Sequence, residues 1–168
     1  MAAILRAAGA EDEAEWLRMR LLLWPDCPTD KHTDEMKESL ARQTSAVFVA
    51  VRPTGGLCGF LEAAIWPYAE GCETHSVGYI EAWYVDADVR EQGIGRELVR
   101  AAERWASSQG CREMASDTEV GNDRSQMAHL ALGYKETSRL VHFRKWLGGE
   151  NEEDGRANTL VGKSPSAS

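Results

Sequence analysis

The sequence predicts an α/β (α+β mixed-sheet) domain, with one central sheet of mixed strand direction flanked by helices. Three observations carry that expectation. Strand-like and helix-like apolar patterns follow one another in the order β, α, α, β, β, β, α, β, α, β, β. Two of the strand runs are joined by Pro53-Thr54-Gly55-Gly56, a hairpin-like turn. A third strand leads through a glycine-containing turn into a long amphipathic helix.

Residues 4–7 form a short strand candidate. Residues 11–23 read as a helix, with acids in the first turn suiting its dipole and Ala14, Leu17 and Leu21 on one face. Pro25 and Pro28 end it, since neither can continue the hydrogen-bond ladder. Thr33 or Asp34 is suited to cap a second helix that runs to Arg42. Residues 46–51 and 57–66 are the hairpin strands. After a loop rich in Gly and Glu comes the apolar, aromatic strand 79–85, then the amphipathic helix 94–109. Residues 111–117 are the next strand and 122–132 the next helix, with Gly133 placed as its C-terminal cap. Residues 134–137 and 140–147 complete the pattern as two further strands. The stretch 148–168 is Gly, Asn, Glu, Ser and Ala with almost nothing to bury, and reads as a disordered tail behind a single domain, 1–147.

The 168 residues suffice for one domain with a substantial core. No run approaches the roughly 18 apolar residues of a membrane span, and the N-terminus lacks a charged-then-apolar leader. Cys27, Cys58, Cys72 and Cys111 have no CxxC spacing, so reduced thiols and a cytoplasmic location are expected. His32, His75 and His142 have no metal-ligand spacing, and no metal is expected. A formal charge of −8 argues against nucleic acid as a partner. It is compatible with a cationic substrate drawn to an acidic cleft, and equally with ordinary solubility.

The most informative stretch is Val89-Arg90-Glu91-Gln92-Gly93-Ile94-Gly95-Arg96. A strand, a glycine turn and a helix N-terminus gather unpaired backbone N–H groups at the positive end of a dipole, where a diphosphate fits. A third glycine for a dinucleotide fingerprint and a Gly-Lys-Ser/Thr for a triphosphate loop are both missing. Arg90-x-x-Gly93-x-Gly95 instead resembles the Arg/Gln-x-x-Gly-x-Gly/Ala signature of the GNAT acetyltransferases, and the element order up to residue 147 is similar to theirs. Leu23-Trp24-Pro25, Tyr79-Ile80-Glu81-Ala82, the run Gly110-Cys111-Arg112-Glu113-Met114-Ala115-Ser116-Asp117-Thr118 and Ala131-Leu132-Gly133-Tyr134 resemble one branch, the aminoglycoside 6'-N-acetyltransferases.

The resemblance implies acetyl-coenzyme A as co-substrate, an aminoglycoside as acceptor, no nucleic-acid or membrane partner, and a homodimer. It implies that backbone N–H groups of Glu91, Gln92, Gly93, Ile94, Gly95 and Arg96 hold the diphosphate, with charge from the Arg90 and Arg96 side chains. Main-chain groups at Trp83, Tyr84 and Val85 would pair with the pantetheine arm, and an N–H there would stabilise an oxyanion. The Trp83 indole itself reads as core packing. Asn122 matches the asparagine used against pantetheine, and is equally suited to cap a helix. His129 stands where many GNAT enzymes carry a tyrosine acid, a departure that favours a partly buried structural histidine. Asp117 and Glu81 are the candidate bases and ligands for substrate ammonium groups, and Trp24 and Tyr68 the candidate sugar-packing aromatics. An acetyltransferase of another amine (a polyamine or peptide) and a non-catalytic acyl-coenzyme A-binding protein remain open as alternatives.

Overall fold

The computed structural model describes residues 3–147. Its elements are β1 (Ile4–Ala7), α1 (Glu13–Leu23), α2 (Thr29–Ala41), β2 (Ser45–Val51), β3 (Leu57–Trp66), β4 (Val77–Val85), α3 (Ile94–Ser108), β5 (Met114–Ser116) and α4 (Asp123–Ala131). The five strands lie in sequence order in one mixed sheet. β1 to β4 pair antiparallel, whereas β5 returns through α3 to pair parallel with β4. A hairpin needs only a tight turn, but a parallel neighbour requires a crossover, which α3 supplies.

Alternation along the strands sends side chains to two separate cores. On one face, Trp16, Met19 and Leu23 of α1 and Met36 of α2 pack with Val47, Val49, Phe60, Ala82 and Tyr84. On the other, Ile94, Leu98, Val99 and Ala102 of α3 pack with Ala50, Leu61, Ala63, Ile80, Trp83 and Val85. Gly78 lets α3 sit close: a Cβ there would lie 2.6 Å from that of Ala106 and 2.5 Å from Met114 Sδ.

Two irregularities shape the centre of the sheet. Glu62 pairs with Ala82 and Ala63 with Ile80, so Glu81 is the extra residue of a bulge in β4. β5 pairs with β4 only at Met114 to Ser116, opposite Gly78 to Ile80. From Glu81 to Val85 the β5-side edge of β4 therefore has no strand partner among the described residues.

Several sequence expectations need correction. The buried face of α1 is Trp16, Met19, Arg20 and Leu23, not Ala14, Leu17 and Leu21. Trp16, Met19 and Leu23 share that face at i, i+3 and i+7 and enter the core, and Arg20 is buried with them through its ion pair to Glu62. α2 begins at Thr29, ahead of Thr33 and Asp34, with Pro28 as its N-cap. A proline is tolerated there because the first helical N–H groups have no intrahelical acceptor. The predicted strands 134–137 and 140–147 do not form. Residues 135–147 have no regular structure, and Val141, Phe143 and Leu147 are 77%, 93% and 90% exposed. The expectation for 148–168 lies outside the described residues.

Candidate active site

The glycine turn is built as a donor cradle. β4 delivers the chain to Asp86, a buried carboxylate gripped by Arg18 (3.0 and 2.9 Å) and by Arg52 (2.9 Å). Burial acts to raise its pKa, but the hydrogen bonds from the two arginines outweigh that and hold it below the usual range. Arg90 turns back to donate from Nε to the Val85 carbonyl (2.8 Å), so part of its guanidinium is committed to shaping the turn. Glu91 sits at φ +63° and Gly93 at φ +85°, and Gly93 is the N-cap of α3. Among the described residues no side chain caps that end, and the first bond made there is Glu97 N–H to Gly93 O, 3.1 Å. The amides of Ile94, Gly95 and Arg96 thus emerge at the positive end of the α3 dipole. The side chains of Glu91, Gln92 and Arg96 are exposed.

Gly93 and Gly95 are glycines for different reasons. A Cβ on Gly93 would meet nothing within 4 Å, and only its positive φ demands glycine. A Cβ on Gly95 would fall 2.9 Å from Trp83 Cζ2 and 3.1 Å from Trp83 Nε1. The indole of Trp83, on the open-edged part of β4, therefore lies directly beneath the turn.

The two acids expected to serve the acceptor come together through two aromatic residues that sequence reasoning missed. Trp66 Nε1 donates to Glu81 (3.0 Å) and Tyr79 Oη donates to Asp117 (2.9 Å). The two rings stack, with centroids 4.1 Å apart and planes within 10°. Asp117 follows the last residue of β5, and Glu81 is the bulged residue of β4, so both carboxylates stand where the strands diverge. Burial and the Asp117 carboxylate push the Tyr79 phenol far above its usual pKa, which keeps it a donor. Alternating runs near a strand end were the available signal for Trp66 and Tyr79, and they look the same as sheet packing.

Trp24 and Tyr68 are placed less directly. Tyr68 is 55% exposed and donates to Glu70 in its own loop (2.9 Å). Glu113 fastens that loop by accepting from the amides of Glu73 (3.0 Å) and Thr74 (2.7 Å). Trp24 is stacked on His32 (6.2 Å) and carries the Arg20 guanidinium 4.9 Å from its ring centre. Neither aromatic hydrogen-bonds to Glu81 or Asp117.

Arg20 centres the buried network beneath Trp24. Arg20 Nη1 donates to both oxygens of Glu62 at 2.7 Å, Trp16 Nε1 donates to Glu62 at 2.8 Å, and Arg20 Nε donates to His32 Nδ1 at 3.2 Å. Arg20 also pairs with Glu35. The acid inside the core is therefore Glu62 rather than Glu81, which is only half-buried. Burial drives the Glu62 carboxyl upward and holds the His32 imidazole below its usual range.

On the other face of the sheet, His129 of α4 bridges to β5. Its Nδ1 donates to the Ser125 carbonyl (2.7 Å), which leaves Nε2 to accept from Ser116 Oγ (2.9 Å). Burial keeps this imidazole neutral by lowering its pKa. Both nitrogens are occupied and its ring meets Trp83 edge-on at 5.5 Å, in keeping with the expected structural role. Asn122 caps α4, accepting from Ser125 N–H at 3.0 Å. Gly133, at φ +93°, closes the helix as expected, with Tyr134 N–H reaching back to His129 O at 3.1 Å.

Coenzyme A requires amide donors for its diphosphate and polar partners along the pantetheine arm, and the residues present fit it. Among the described residues, two buried side-chain polar atoms lack a hydrogen-bond partner, Trp83 Nε1 and Thr118 Oγ1. They lie on β4 and just after β5, the strands that part here. No group of three or more His, Cys, Asp or Glu suited to a metal occurs among the described residues. No helix there is long and apolar enough to cross a membrane.

Comparison with known proteins points to one family and one fold. The profile of the acetyltransferase (GNAT) family matches residues 15–134. An aminoglycoside N(6')-acetyltransferase type 1 from Klebsiella aerogenes is 44% identical over 145 residues, covering 84% of this chain and 95% of the relative. One from Stenotrophomonas maltophilia is 40% identical over 141 residues, covering 83% and 91%. Among solved structures, AAC(6')-Iy in complex with the bisubstrate analogue CoA-S-monomethyl-acetylneamine superposes with a TM-score of 0.83 at 35% identity, covering 87% of this chain and 99% of that one. AAC(6')-Ih from Acinetobacter baumannii does so with a TM-score of 0.81 at 34% identity, covering 87% and 99%.

Proposed function

The chain belongs to the acetyltransferase (GNAT) family, and we propose that it transfers the acetyl group of acetyl-coenzyme A to the 6'-amino group of aminoglycosides, conferring resistance to them. Relatives about this similar carry that activity in their names, and one neighbour binds an analogue joining coenzyme A to an acetylated neamine. The observation that carries the reading is the pair Glu81 and Asp117, held by Trp66 and Tyr79 at the divergence of β4 and β5. A polycationic amino sugar needs carboxylates and aromatic surface at its binding site.

When bound, the thioester supplies an acyl group already activated for transfer. The chain's own task is to orient the acceptor and take its proton. The 6'-amine is largely protonated at neutral pH, and Asp117 or Glu81, directly or through water, accepts the proton that frees its lone pair. The other carboxylate holds a neighbouring ammonium. The amides from Glu91 to Arg96, with Arg90 and Arg96, take the diphosphate. Main-chain groups at Trp83, Tyr84 and Val85, on the open edge of β4, take the pantetheine arm together with Asn122. Trp24 and Tyr68 wall the acceptor cleft. Cys111, at the far end of the segment leading into β5, is not placed to form an acyl-enzyme.

A cytoplasmic homodimer is also proposed. Support for the dimer comes from residues 140–147, whose Leu140, Val141, Phe143, Trp146 and Leu147 are exposed in the single chain although their sequence reads as a strand. A second copy would cover such a patch. The four cysteines stand unbridged, an arrangement that suits the cytoplasm.

The test is thiol release from acetyl-coenzyme A with kanamycin or tobramycin, with product masses compared between 6'-amino and 6'-hydroxy drugs. Acetylation of the 6'-amino drug alone is expected. Turnover of spermidine or peptides with none of any aminoglycoside would overturn the substrate assignment, and a monomer by sedimentation equilibrium would overturn the dimer.

A further inference from the structure

Arg20, Glu62 and His32 are 2%, 4% and 0% exposed, a knot of polar and charged groups inside the core that joins α1 and α2 to the sheet. Taking two charges out of water is costly, and well-packed apolar residues of similar volume often hold such a place at least as stably. The knot nonetheless has good geometry throughout. Arg20 Nη1 donates to both Glu62 oxygens at 2.7 Å, Trp16 Nε1 donates to Glu62 at 2.8 Å, and Glu35 pairs with Arg20 from the rim. Arginine can only donate, so the 3.2 Å contact from Arg20 Nε makes His32 Nδ1 the acceptor. The imidazole proton therefore sits on Nε2, which donates to the Trp24 carbonyl at 3.3 Å.

Trp24 is where the knot meets the surface. It is the C-cap of α1, half-buried, and followed by the Pro25 turn. Its N–H bonds the Arg20 carbonyl at 2.8 Å and its carbonyl takes the His32 proton. Its indole carries the Arg20 guanidinium 4.9 Å from the ring centre and stacks on the His32 ring at 6.2 Å, with planes 28° apart. Main chain and ring of this one residue are thus held by the same two partners. At its other end the knot adjoins the acceptor acids, for Glu62 pairs with Ala82, next to the bulged Glu81. An aromatic wall fixed in advance binds a ligand without the cost of ordering a side chain.

We propose that Arg20 and His32, anchored by Glu62, are positioning residues for aminoglycoside recognition, holding the Trp24 ring in place against the amino sugar before the drug arrives. The inference rests on the reading of Trp24 as a wall of the acceptor cleft made above, and adds a reason for the buried charges that stability does not supply. None of the three touches the substrate; they act through Trp24.

The experiment is steady-state kinetics of the full chain with kanamycin. His32→Leu removes both the acceptor for Arg20 and the donor to Trp24. It is expected to raise the kanamycin KM by about threefold to thirtyfold, the range of one contact between a cation and an aromatic face, while kcat and the coenzyme A dissociation constant hardly move. A histidine with a merely structural role would lower the amount of active enzyme, hence kcat, and leave KM where it was. Trp24→Ala should raise KM by a similar factor, and the double variant should rise little further, because both changes remove one contact. An unchanged KM in either single variant, or effects that multiply in the double variant, would overturn the inference. Should His32→Leu not fold, the wild type decides. With fluorinated tryptophan the chain gives six 19F signals, and Trp24→Phe identifies the one required. A single narrow Trp24 line that moves on saturation with kanamycin is expected; a broad or split line in the free protein, or one that ignores the drug, would overturn the inference. Those results leave the acetyltransferase reading intact, whereas absence of turnover with every aminoglycoside would remove that reading and this inference with it.

Discussion

Asp117 and Glu81 each keep one carboxylate oxygen engaged by an aromatic donor, which leaves the rest of each group free for an ammonium ion. Replacing Asp117 by Asn preserves the shape and the Tyr79 contact but removes one of the two proposed proton acceptors. Turnover of an aminoglycoside should fall by about 10²–10⁴-fold with the coenzyme A dissociation constant unchanged; undiminished turnover removes Asp117 from the catalytic set. Tyr79→Phe keeps the stacked ring and deletes the hydroxyl, so a smaller loss, about tenfold, is expected from one lost hydrogen bond. Stability rests on other residues. Arg20→Met leaves Glu62 as an unpaired buried carboxylate, and urea denaturation should register a loss of about 3–5 kcal/mol. Glu81 and Asp117 were singled out through the motifs that carry the family resemblance. Glu62, Trp66 and Tyr79 were not, because their roles depend on which residues the sheet places beside them.

Two elements govern access to the site, the glycine turn and the parted end of β4 and β5. Gly93 is at φ +85° with open space around it, so Gly93→Ala tests backbone conformation without a clash. The cost should be about 1–2 kcal/mol, the usual penalty for an L-residue in the left-handed region, readable as a lowered Tm. An unchanged Tm would mean the turn relaxes to another conformation. The strand, turn and helix were readable in advance because glycine and period-3.6 apolar spacing act locally. The start of α2 was misplaced because Pro28 opens that helix, and a proline has the same local signature whether it ends a helix or begins one. The divergence of β5 from β4 left no local mark in the sequence, since where the pairing stops depends on contacts distant along the chain.

At the scale of the whole molecule, titration of buried histidines couples stability to pH. Burial holds His32 and His129 below the usual histidine range, so below about pH 6.5 the unfolded chain binds more protons than the folded one. Their contribution is full above that pH and is lost as pH falls through it. Glu62, displaced upward by burial, acts in the opposite sense. Comparing the wild type with His129→Gln isolates one histidine: between about pH 7.5 and about pH 5.5 the wild-type Tm should fall more steeply. Parallel slopes would contradict the folded-state position of His129. The exposed apolar run at residues 140–147 belongs to this scale too. It is strand-like in composition and unpaired in one chain, which is why its strands were expected and did not form.

What the sequence determined alone is whatever depends on near neighbours: strand and helix periodicity, the left-handed glycines of the turn and the α4 cap, and the motif marking the coenzyme end of the site. Tertiary structure decided which carboxylate is buried, which aromatic residues hold Glu81 and Asp117, and why Gly95 lacks a side chain. Each of those follows from side chains that meet across the sheet, and the energy of a buried charge or an orphaned N–H is set by the partners that packing brings within reach.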